Sequence, residues 1–121
     1  MTEKTEIPSV LNDGLVAALN TISTATLTHQ LQRSGIRSTL MSGLKPLPPE
    51  KRMLGRARTR RYGALREDLQ PRSSGGVPAQ KRVVESIEPG DVLVIEARGV
   101  PDAGTIGDIF ATRLSALGGA G

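Results

Sequence analysis

The sequence predicts an α/β fold, and three observations carry that prediction. Amphipathic stretches with recognisable caps alternate along the chain with stretches that read as strands. One of the latter, RMLGRARTRRY, alternates with period two. Another, VLVIEA, is a short apolar run rich in β-branched residues and preceded by a turn signal, the pattern of a buried strand.

The elements follow in order. Residues 1 to about 9 read as a polar tail. LNDGLVAALNTI carries a short helical pattern at Leu15, Val16 and Leu19. STATLTHQLQRSG is a clearer helix: Ser23 is a good N-cap, Leu27 and Leu31 lie one turn apart, and Gly35 suits the position just past the end. PLPPEKR cannot be regular structure, because each proline lacks an N–H and fixes φ. In RMLGRARTRRY the alternation puts Met53, Gly55, Ala57 and Thr59 on a small, mainly apolar face, and Leu54, Arg56, Arg58 and Arg60 on a basic one. REDLQPRSSGGVPAQ reads as a flexible loop with the composition of a lid. AQKRVVESI predicts a short helix burying Val83, Val84 and Ile87, EPGD a turn, and RGVPDAGTIG a loop. DIFATRLSAL predicts a helix with Ile109, Phe110, Leu114 and Leu117 inward, stopped by Gly118 and Gly119.

Composition narrows the function. A chain of 121 residues with 37% hydrophobic and 23% charged residues holds one domain at most, with a modest core. One Phe, one Tyr and no Trp make that core aliphatic. The absence of cysteine excludes disulfides and thiolate metal sites and fits a reducing compartment. The polar start MTEKTEIPSV has no secretory-signal pattern, and no apolar run reaches the roughly 18 residues of a membrane span. The expected location is the cytoplasm. A single histidine, His29, reads as a surface residue, which makes a zinc site improbable. An oxygen-ligand site of magnesium type stays open.

The net charge of +4 concentrates in KRMLGRARTRRYGALR. Arg56, Arg58, Arg60, Arg61 and Arg66 raise RNA binding as a hypothesis. Aromatic platforms for base stacking are nearly absent, so a solvated strand face or an inter-subunit salt-bridge surface is the better reading. REDL, Arg66 to Leu69, has no spacing that assigns it a role.

The chemistry points to the last helix. Its first turn carries Gly107 and Asp108. A helix start exposes unpaired N–H groups and a partial positive charge, so it suits a carboxylate or phosphate ligand, and glycine lets such a ligand come close. From spacing alone, Asp108 is most simply an N-cap or a first-turn acid that stabilises the helix dipole.

STATLTHQLQRSGIRSTLMSGLKPL, GRARTRRYGALREDL, VVESIEPGDVLVIEARG and GTIGDIFATRLSALGGAG together resemble the family of the regulator of ribonuclease activity A, which also contains the 4-hydroxy-4-methyl-2-oxoglutarate aldolases. The resemblance runs from about Ser23 to Gly121. It makes residues 1–22 a tail with a short helix and 23–121 the N-terminal portion of one domain. It implies a swivelling β/β/α layered sandwich, a homotrimer, and sites at subunit boundaries. It implies lyase activity on 2-keto acids, aldol cleavage or oxaloacetate decarboxylation, through a pyruvate enolate held by Mg or Mn. Gly107, Asp108, Ile109 and Phe110 fall where the family binds the pyruvate-like part of its substrate, and Asp108 matches the first aspartate of the family pattern. The Arg-Asp pair that follows in aldolase members has no counterpart before Gly121, so the resemblance implies a C-terminally truncated member. The alternative it carries is a non-catalytic regulator that binds ribonuclease E.

Overall fold

The computed structural model describes residues 11–47, 49–64, 68 and 78–121. The element order is α1 (Asp13–Thr21), α2 (Thr24–Arg33), β1 (Arg56–Arg61), α3 (Ala79–Glu85), β2 (Asp91–Glu96) and α4 (Asp108–Ala116). They fall into two compact units, Met1–Leu54 and Gly55–Gly121.

The first unit holds α1 and α2, and both are fixed by local chemistry. The Asn12 side chain accepts from the Leu15 amide at 2.8 Å and caps α1. Ser23 caps α2 by accepting from the Thr26 amide at 3.1 Å. At the other end, Gly35 takes φ +83°. The Gly35 amide then reaches the Gln32 carbonyl, and the Ile36 amide the Leu31 carbonyl. That pair of bonds needs a left-handed residue, which is why the chain spends a glycine there. The Arg52 guanidinium donates to the Leu19 and Ile22 carbonyls at 2.8 and 2.5 Å, satisfying acceptors at the end of α1 with a positive charge. Neither helix buries a residue fully.

The second unit is a β-α-β arrangement followed by α4. β1 and β2 pair in parallel, from Arg56 opposite Asp91 to Arg61 opposite Glu96, and α3 lies between them in sequence. Parallel strands need such a crossover, so the pairing makes this unit α/β, as predicted. Past the strand end, the Tyr62 amide donates to the Glu96 carbonyl at 3.0 Å. The core gathers Val84, Ile87, Val92 and Leu114, and Val84 is only 1% exposed. Gly90 turns the chain into β2 at φ +84°. Gly55 admits no side chain, because a Cβ there would collide with the Gly90 carbonyl oxygen. α4 ends in a second left-handed glycine, Gly118 at φ +82°. The residues after it bond along β2: Gly90 N–H to Gly118 O, Ala120 N–H to Asp91 O and Leu93 N–H to Gly121 O, at 2.8, 2.7 and 2.7 Å. They take the edge of β2 that faces away from β1.

Three expectations change. The period of two in β1 is real, but its faces are reversed: Arg56, Arg58 and Arg60 are half-buried while Ala57 and Thr59 are exposed. Charged partners, described below, cover the arginine side. β2 is buried only at Asp91 and Val92, and Leu93 to Ile95 are half-covered, because the sheet has two strands among the described residues. Ile109 does not point inward. It is 78% exposed, while Leu114 is buried and Phe110 and Leu117 are half-buried. In the first turn of α4 the inward stripe has not yet met the core. The loop read in REDLQPRSSGGVPAQ, with Arg66, lies almost wholly outside the described residues, as does the tail.

Candidate functional site

A cleft of about 470 Å³ opens beside the start of α4, lined by Gln80, Gly104, Ile106, Gly107, Asp108, Ile109 and Phe110. The structure thus brings all four sequence-predicted residues to one concavity. Gly107 is the N-cap of α4 and, having no side chain, makes no capping bond. Asp108 is the first helical residue, and its Oδ1 accepts from the Ile109 amide at 2.9 Å. Of its two local readings, therefore, the first-turn acid holds and the N-cap falls to Gly107.

The two glycines of the cleft differ from those of the turns. Neither Gly104 nor Gly107 has a left-handed backbone, and a Cβ on either would meet nothing within 4 Å. Nothing in the described fold requires glycine at these positions. Their effect is to leave bare backbone facing the cleft.

Sequence reasoning missed the groups that brace this loop. The Thr105 carbonyl accepts from the Tyr62 hydroxyl at 2.9 Å and from Gln80 Nε2 at 3.1 Å. Tyr62 comes from the end of β1 and Gln80 from α3, so their separation along the chain hid the pair. The Arg60 guanidinium stacks on the Tyr62 ring at 4.4 Å from its centre.

Of the other flagged arginines, the three among the described residues are engaged. Arg58 bonds Asp91 at 2.5 Å and Glu88 at 3.0 Å, Arg61 pairs with Glu96 at 3.1 Å, and Arg56 is partnered too. Asp91 is 3% exposed and also accepts from the Glu88 amide at 2.9 Å. Burial pushes its carboxyl up, but the Glu88 amide and the Arg58 guanidinium outweigh that and hold it below the usual aspartate range. Across the helices, Arg113 of α4 grips Glu85 of α3 through two nitrogens at 3.1 and 2.8 Å, which lowers the Glu85 carboxyl. These pairs link β1 to β2 and α3 to α4. In the first unit, His29 is exposed beside an apolar groove on α2 with Thr28, Gln32 and Leu40.

The RraA-like family model, described as Aldolase/RraA, matches residues 24–121. This chain belongs to that family. Among solved structures, it is similar to Streptomyces coelicolor RraAS2, described as an unusual member of the RNase ES inhibitor RraA protein family. The two share 34% identity with a TM-score of 0.78, over 91% of this chain and 51% of that one. The present RraA-like chain therefore spans about half the length of that relative. No curated protein matches it.

A divalent cation of magnesium type needs several oxygen ligands. Among the described residues, Asp108 is the one carboxylate lining this cleft, and no three His, Cys, Asp or Glu side chains come together. The residues of the cleft do not by themselves fit such an ion, and no step below runs through one. Among the described residues, no helix is long and apolar enough to cross a membrane.

Proposed function

We propose that this chain supplies the carboxylate-binding side of a lyase site for 2-keto acids. The reaction would be aldol cleavage of 4-hydroxy-4-methyl-2-oxoglutarate or decarboxylation of oxaloacetate. One observation carries the reading: two glycines that the fold does not require leave the backbone bare where α4 opens into a cleft. The amides of that first turn, with the positive end of the helix behind them, would hold the substrate carboxylate. Ile106, Ile109 and Phe110 would exclude water from the bond being broken. In aldol cleavage the Asp108 carboxylate would take the proton from the 4-hydroxyl as the C3–C4 bond breaks to pyruvate and a pyruvate enolate, and return that proton to the enolate carbon. In decarboxylation CO2 leaves and the enolate carbon takes its proton from solvent. The Mg or Mn ion implied by the resemblance would need ligands beyond the cleft residues, in keeping with a homotrimer whose sites lie between subunits. The same reading places the protein in the cytoplasm and gives it neither nucleic acid nor membrane as a partner.

Pyruvate release from either substrate in the presence of magnesium tests the proposal. Asp108→Ala should lower the rate roughly 100-fold. Release at the parental rate from that variant sinks it.

A second reading has its own support, because the structurally similar RraAS2 is described within a family of ribonuclease inhibitors. In that reading the chain binds ribonuclease E without chemistry. Stoichiometric inhibition of RNA cleavage, unchanged by Asp108→Ala, would favour it over the lyase.

A further inference from the structure

We infer that Tyr62 and Gln80 are positioning residues that aim the start of α4 at the ligand of the cleft. This rests on the cleft reading above and assigns its control to two side chains outside the GDIF stretch.

The Thr105 carbonyl is the point of convergence. It sits in the loop just before Gly107, and it accepts a phenol hydroxyl and a carboxamide N–H at once. All three residues are half-buried. A carbonyl with both acceptor sites filled has a fixed direction, because each donor restricts rotation of the adjoining peptide planes. The next residues are Ile106 and the N-cap Gly107, which has no side chain to hold itself. The direction of the first α4 amides therefore depends on Thr105. A glycine-bearing loop would otherwise sample many backbone states, a freedom that binding would have to remove.

Tyr62 is itself held in place. Its amide continues the sheet through the Glu96 carbonyl, and its ring lies under the Arg60 guanidinium. Gln80 sits in the first turn of α3 and lines the cleft as well as bracing it. One donor thus ties the loop to the sheet and the other to a helix. Together they transmit the rigidity of two elements to a site that neither forms alone.

The test uses Tyr62→Phe and Gln80→Leu, singly and together, on the full chain. Each keeps the bulk of the side chain and removes the donor. Amide hydrogen exchange reads the loop directly, and titration with pyruvate in the presence of magnesium reads the ligand. In the double variant, exchange at residues 104–110 should quicken about tenfold while β1 and β2 stay as they were, and pyruvate should bind about tenfold more weakly, with Tm lowered only modestly by the two lost hydrogen bonds. Gly107→Val, which fills the cleft, gives the reference for lost binding. Unchanged exchange at 104–110 overturns the inference whatever the ligand does. Faster exchange with unaltered pyruvate affinity overturns it too, since the pair would then be a brace with no bearing on the site. If the parental chain binds pyruvate no better than Gly107→Val, it is the keto-acid reading that fails. The exchange result then decides by itself whether these two donors aim the helix start.

Discussion

Residues 11–54 and 55–121 reach order by different means. The first region has two helices, each capped at its start by a side chain three residues away, with the distant Arg52 added at the end of α1, and no fully buried residue among those described. Its large apolar side chains Leu40, Met41, Leu44 and Leu47 are exposed, Leu47 at 94%. Among the described residues, the second region contains the four buried apolar ones and a buried carboxylate, and its bonds join groups far apart in sequence. Local capping specifies helices without a core, whereas nonlocal pairing specifies a site. Accordingly the candidate cleft lies in the second region, where the loop before α4 is tied to β1 and α3.

The strongest way to break that contrast is at Gly55. Gly55→Ala places a methyl group against a backbone carbonyl that cannot move aside, and should cost about 3 kcal/mol of stability. Urea unfolding followed by circular dichroism measures it, and a loss below about 1 kcal/mol would mean the junction of β1 with the turn at Gly90 is looser than drawn.

Asp91 sharpens the contrast by pH. Its carboxyl is lowered in the folded state, so the stabilisation is complete above about pH 4 and is lost as pH falls through the folded value. Asp91→Asn should cost about 2 kcal/mol at neutral pH and flatten the acid limb of the stability curve. Urea midpoints across that acid range check both. An acid limb as steep as the parental one would show that other carboxyls dominate.

The smallest effect belongs to the first region. Ser23→Ala removes one cap and should cost about 1 kcal/mol, confined to α2. Faster amide exchange at residues 24–27, with Val84 and Leu93 unchanged, is the expected pattern. Slowing or quickening in β2 would join the two regions energetically.

What the sequence disclosed follows the same division. Ser23, Gly35 and Gly118 were readable because a cap depends on neighbours within a few residues. The strands were readable from their periods, and the GDIF residues do line one cleft. The faces of β1 were not, because alternation gives the period but not which side is wet. Asp91 and Glu88, some thirty residues on, make the arginine side the covered one. Ile109 carries the spacing of a core residue, yet it stands one turn before the core begins. Tyr62, Gln80 and Thr105 gave no signal at all, since a hydroxyl, an amide and a carbonyl meet only after the parallel pairing forms.

The bonds from Gly118–Gly121 to β2 have a consequence for solubility. Residues 92–95 are Val-Leu-Val-Ile, an uncharged β-forming run of the kind that templates fibrils when an edge lies open. The glycine-rich segment occupies the outer edge at Asp91 and Leu93 with two main-chain bonds, adds a third to Gly90, and brings little side chain of its own. Its bonds take the main-chain groups at the start of that edge out of reach of a second chain, so the small residues that follow α4 blunt the edge of the chain's most β-prone run.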